Sequence, residues 1–88
     1  MITKQYMILA PEGMHARPAT AMVKLVKQFQ CTIVLKKGEK QARLNSLLNI
    51  LSMGIKGGEA VVIEIDGAEE EAAAIAFDVF FAQNLKDW

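Results

Sequence analysis

The turn Lys36-Lys37-Gly38-Glu39-Lys40 lies between two short apolar runs and constrains the fold of this chain more than any other segment. Cys31, Ile33 and Leu35 share one parity before it, and Ala42 and Leu44 follow it, the pattern of two strands joined as a hairpin. Neighbouring parallel strands need crossovers of about a dozen residues or more, for which a chain of 88 residues has little room. The hairpin therefore predicts an antiparallel or mixed sheet.

The flanking segments supply what covers it. Ile2 to Leu9 places Ile2, Tyr6 and Ile8 on one parity, a half-buried strand broken by Pro11 and Gly13. From about Ala16 to Phe29, Ala19, Met22, Val23 and Val26 recur at helical spacing, with Lys24, Lys27 and Gln28 on the other side. Pro18 falls in the opening turn, where its missing N–H has no intrahelical acceptor to lose. Ser46 precedes the compact apolar set Leu47, Leu48, Ile50, Leu51 and Met53, closed by Gly54 and Gly57-Gly58, which predicts one or two helical turns. Val61, Ile63 and Ile65 read as a last strand, and Glu69-Glu70-Glu71 open an alanine-rich helix toward Asn84, with carboxylates where the helix dipole favours them. The order β-α-β-β-α-β-α predicts an α/β two-layer sandwich forming one domain over residues 1–88. Met7, Met22 and Met53 are expected as core filler, and Cys31 as a buried strand residue.

Composition narrows the class. Hydrophobic residues make up 52% of the chain, enough for a core, but no apolar run approaches the ~18 residues of a membrane span. The N-terminal residues lack the apolar stretch and cleavage site of a secretion signal, so a cytoplasmic protein without membrane insertion is expected. One cysteine excludes an internal disulfide, and with one histidine it argues against a metal site. Net charge is zero, yet Lys and Arg concentrate in residues 1–56 and Asp and Glu in 57–88, a division that can steer acidic or phosphorylated partners. The basic residues are not interleaved with aromatics, which argues against nucleic acid. Gly57-Gly58 lacks the following Lys-Ser/Thr of a nucleotide loop.

Chemistry concentrates in Gly13-Met14-His15-Ala16-Arg17-Pro18-Ala19-Thr20. His15 is the only histidine, two residues before Arg17 and at the mouth of the first helix. A helix start offers unpaired N–H groups and partial positive charge, so a phosphoryl group on His15 would meet the Ala16 and Arg17 amides and the guanidinium together. The same positive field disfavours the imidazolium and keeps a nitrogen free to attack.

These residues resemble the active-site motif of the HPr family, the histidine-containing phosphocarriers of the bacterial phosphotransferase system, and Ser46-Leu47 with Leu51-Ser52-Met53-Gly54 resembles the family's regulatory-serine segment. The resemblance covers essentially the whole chain. It implies an open-faced sandwich of four antiparallel strands with three helices on one face, and no cofactor. It implies further that His15 accepts phosphate from enzyme I through Nδ1 and passes it to IIA proteins or domains, with Arg17 neutralising charge. Partner docking would use the first two helices: Thr20, Lys24 and Lys27 on one, Leu47, Leu48 and Leu51 on the other. Leu47 is the preferred anchor, while core and interface roles stay open for each leucine.

Ser46 has two readings, a helix N-cap whose hydroxyl accepts an early N–H, and a phosphosite for a serine kinase/phosphorylase of the kind that couples family members to a transcription regulator. Asn45 and Asn49 depart from the residues common in kinase-regulated members. Asn45-Ser46 together with the Met14 motif also resembles the nitrogen-related branch of the phosphotransferase system. The alternative function is a regulatory binding module of the same fold, acting through protein contacts with phosphotransfer incidental; an intact His15-Ala16-Arg17 favours the carrier.

Overall fold

A computed structural model describes residues 1–8, 13 and 16–84. Strand β1 (Ile2–Met7) leads to helix α1 (Ala16–Val26), the hairpin β2 (Cys31–Lys37) and β3 (Lys40–Arg43), the short helix α2 (Leu47–Leu51), strand β4 (Ala60–Gly67) and helix α3 (Glu70–Val79). A π-helical turn over Phe80–Asn84 continues α3. The sheet order is β1-β4-β2-β3, every pair antiparallel.

Alternation decides which face the helices cover. Ile33 and Leu35 of β2 and Val61, Ile63 and Ile65 of β4 are buried, whereas the intervening Thr32, Val34, Val62 and Glu64 are half-buried or exposed on the other face. Ala19, Met22 and Val26 of α1, Ile50 of α2 and Ala73, Ala74 and Phe77 of α3 complete one continuous core, which holds no polar or charged residue among those described. Full burial of a side chain the size of Met22 or Phe77 stabilises by about 1.5–3 kcal/mol. The structure is thus a four-stranded antiparallel open-faced sandwich with three helices, the fold expected from the sequence.

Several boundaries and burials differ from the sequence expectation. Helix α1 stops at Val26, because residues 27–30 turn back through N–H bonds such as Gln28 to the Leu25 carbonyl. The hairpin turn is only Gly38-Glu39; Lys36, Lys37 and Lys40 are strand residues, Lys37 facing Lys40 across the ladder. Gly38 supplies the positive φ of 59° that the tight turn requires. Cys31 is half-buried rather than buried, being the first residue of its strand. Met7 is 56% exposed, because it falls on the uncovered parity of β1, while Met22 and Met53 are core residues as expected. Strand β1 ends at Met7; Leu9 and Pro11 lie outside the described residues.

The charge division of the sequence does not survive folding as two surfaces. Lys36 pairs with Glu64 at 3.1 Å, Lys37 with Glu59 at 2.9 Å and Lys4 with Asp78 at 3.1 Å, each joining the basic part of the chain to the acidic part. Cations remain at α1, as Lys24 on the helix and Lys27 just past its end, and around β3, as Lys40 and Arg43; none of these four makes an ion pair among the described residues.

Candidate functional site

Ala16 and Arg17 are the first two residues of α1, so their N–H groups have no acceptor within the helix. Pro18, third in line and buried, has no N–H and anchors the turn in the core. Thr20 is half-buried and donates through Oγ1 to the Ala16 carbonyl oxygen at 2.6 Å, which fixes its side chain against the helix. Ala16, Arg17, Thr20, Ala21 and Lys24 line one shallow open groove on α1. The structure therefore brings Arg17, Thr20 and Lys24 together. Lys27 is exposed and lies just past the helix end. His15 and Met14 lie outside the described residues.

The approach to this helix is fixed from behind. Gly13 is buried with φ 74°, and a β-carbon there would strike the Ile55 carbonyl oxygen and stand 2.7 Å from the Lys56 α-carbon. Glycine is required both for the dihedral and for the close approach. Earlier in the chain, the Ile8 N–H donates to the Glu59 carbonyl at 2.9 Å, and the Gly58 N–H donates to the Ile8 carbonyl at 2.8 Å. The 55–59 loop is itself braced, since a Glu59 carboxylate oxygen accepts from the Lys56 N–H at 2.6 Å while the carboxylate pairs with Lys37. The hydrogen bond from Lys37 and then that from the Lys56 amide hold the Glu59 carboxyl below its usual range. In the sequence Gly13 and Gly58 stand out only as breakers, because loop-to-loop approach leaves no periodic signal.

Helix α2 touches both α1 and β3. Ser46 is its N-cap, with Oγ accepting from the Asn49 N–H at 3.4 Å, as the sequence suggested. Of the three leucines, Leu47 and Leu51 are half-buried against the core, whereas Leu48 is 76% exposed. Leu48 is the most exposed of the three, because Leu47 and Leu51 follow the inward spacing of Ile50 and keep only part of their surface open.

An open-faced sandwich of four antiparallel strands with three helices, and a groove on α1 lined by Arg17, Thr20 and Lys24, define a small α+β protein. The chain belongs to the HPr family: the family described as "PTS HPr component phosphorylation site" matches residues 2–83. It is 33% identical over 73 residues to the phosphocarrier protein HPr of Lysinibacillus sphaericus, covering 83% of each chain. It is 29% identical over 86 residues, 98% of its length, to the phosphoryl donor subunit DhaM of the PEP-dependent dihydroxyacetone kinase of Providencia stuartii, of which it spans 18%. The crystal structure of HPr-C-His from Thermoanaerobacter tengcongensis superposes with a TM-score of 0.88 at 29% identity, covering 93% of this chain and 92% of that one.

Proposed function

We propose that residues 1–88 act as a single cytoplasmic phosphocarrier domain that accepts a phosphoryl group on His15 from enzyme I and passes it to a IIA protein or domain. An imidazole nitrogen attacks phosphorus, the new N–P bond forms as the donor's bond to phosphorus breaks, and the imidazole N–H proton is released. Transfer of this kind depends on positioning and charge stabilisation. The amides of Ala16 and Arg17, with no intrahelical acceptor, and the Arg17 guanidinium supply donors and charge for the phosphoryl oxygens. The placement of Ala16 and Arg17 in the first turn of α1, directly after His15 in the sequence, is the observation that carries this reading. Thr20, Lys24, Lys27 and the exposed Leu48, with Leu47 and Leu51 behind it, form the docking rim for both partners.

Incubation with phosphoenolpyruvate and enzyme I tests the reading by intact mass. One acid-labile phosphoryl group is expected on the wild type and none on His15→Ala; no gain, or an equal gain on the variant, rejects it. The likeness to a dihydroxyacetone-kinase donor subunit along nearly the whole chain supports a second acceptor class. The phosphorylated chain, offered separately to a IIA domain and to a dihydroxyacetone-kinase system, discriminates the two by which one removes the phosphoryl group.

A further inference from the structure

We propose that the free edge of β3 binds an extended acidic peptide segment as an added antiparallel or parallel strand, a docking site separate from the α1 groove. The sheet order places β3 at one edge, with β2 its one strand partner among the described residues. The Leu44 N–H donates to the Ile33 carbonyl at 2.9 Å, so the alternation of an antiparallel ladder turns the backbone groups of Lys40 and Ala42 toward β2 and those of Gln41 and Arg43 outward. Two outward residues offer N–H and C=O groups at the repeat an incoming strand requires.

The chain around this edge says what it can receive. Two open cavities that share Gln41, Ala42 and Asn49 lie along it, one reaching Lys40 and Ser52 and the other Arg43, Asn45 and Val34 of β2. From Lys40 to Gly58 the sequence contains no Asp or Glu. Lys40 and Arg43 are exposed and make no ion pair among the described residues, while Glu64 of β4 is engaged by Lys36 and Glu59 of the preceding loop by Lys37. Glu39 in the hairpin turn is the one carboxylate next to the strand in sequence. Basic side chains on an edge repel a second β3, which disfavours self-pairing through this strand. The same charges complement glutamates on both faces of an incoming strand, those of one parity meeting Lys40 and those of the other Arg43, while the amides of Asn45 and Asn49 border the cavities.

The probe is a short fluorescent extended peptide with glutamates on both parities, so that both Lys40 and Arg43 are met, titrated into the folded full chain at low salt, with amide chemical shifts mapping its position. Saturable binding with shifts centred on Gln41 and Arg43 is expected, weakened about twofold to fivefold by Lys40→Gln or Arg43→Gln, the range for exposed ion pairs. Gln41→Pro removes an outward N–H without touching the β2 ladder and is expected to weaken binding about threefold to tenfold, the loss of one backbone hydrogen bond. The exposed charge reversal Arg43→Glu, checked for native circular dichroism, provides a variant independent of proline. Equal affinity for the same peptide with lysine in place of glutamate, shifts confined to α1, no saturation at millimolar peptide, or Arg43→Glu binding as wild type each overturns the proposal.

Discussion

Gly13 and Ile55 meet through their main chains, with no room between them for a side chain on Gly13. This contact ties the segment entering α1 to the loop that Lys37 and Glu59 brace. Gly13→Ala places a β-carbon both at φ 74° and against backbone that cannot rotate away. The expected cost is about 2–3 kcal/mol in urea unfolding, from positive-φ strain and the forced shift of a loop. His15 follows two residues later, so the initial rate of phosphoryl uptake falls as well. An unchanged urea midpoint would show that the loops separate freely.

Tyr6 and Asp78 join β1 to α3 through an O–H to carboxylate bond of 2.6 Å, with Lys4 on the other carboxylate oxygen at 3.1 Å. The Tyr6 ring stacks on Phe81 with centroids 4.1 Å apart and planes 3° from parallel. Burial first, then the hydrogen bond to Asp78, push the Tyr6 phenol well above its usual range, and the Tyr6 hydrogen bond holds the Asp78 carboxyl below its own. A raised folded value for Tyr6 gives stability that is full below the unfolded phenol's value of about 10 and is lost as pH rises beyond it. The lowered Asp78 value gives stability present above about pH 4 and lost as pH falls through the folded value. Tyr6→Phe keeps the ring stack, removes the bond at a cost of about 1 kcal/mol, and flattens the alkaline limb of the stability profile. Persistence of that limb in Tyr6→Phe, measured by urea melts across pH, refutes this coupling.

The sequence made the sheet legible because each strand keeps period-two alternation beside a covered face, as in Val61, Ile63 and Ile65. Pro18 and Ser46 were legible too, since helix-start chemistry is local. Contacts between distant segments were not: Gly13 against Ile55 and Tyr6 against Asp78 depend on tertiary approach. Burial within α2 was also ambiguous, because in a helix of little more than one turn Leu47, Leu48 and Leu51 fit an inward or outward face equally, and only packing assigns Leu48 to solvent. The ion pairs show the same limit: a charge division along the chain was visible, but the sheet brings Lys36 beside Glu64 and dissolves much of it.

Ser46 caps a helix of only five residues, so its hydroxyl holds one of few constraints on α2. The 3.4 Å bond to the Asn49 amide is long, placing Ser46→Ala toward the lower part of the range for lost N-caps, about 0.5–1 kcal/mol. Ser46→Asp preserves an acceptor and adds charge favoured at a helix start, so its urea midpoint is expected to match or exceed wild type. A larger loss in Ser46→Asp than in Ser46→Ala would mean that the cap is not what Ser46 contributes.

Arg17 separates charge from geometry at the α1 mouth. In the proposed transfer a guanidinium offers planar paired donors to phosphoryl oxygens, whereas an ammonium supplies charge without that fork. Arg17→Ala is expected to slow phosphoryl uptake from enzyme I by about a hundredfold, the scale for removing one preorganised donor from developing charge. Arg17→Lys should fall between the variant and wild type, because positive charge persists while bidentate contact is lost. Quenched-flow measurement of phosphoryl uptake at saturating enzyme I isolates the transfer step from docking, and urea midpoints of both variants report any change in folding separately. If Arg17→Lys equals wild type, field alone suffices; if it equals Arg17→Ala, the fork is indispensable. Arg17→Ala transferring at the wild-type rate would remove the Arg17 guanidinium from the mechanism.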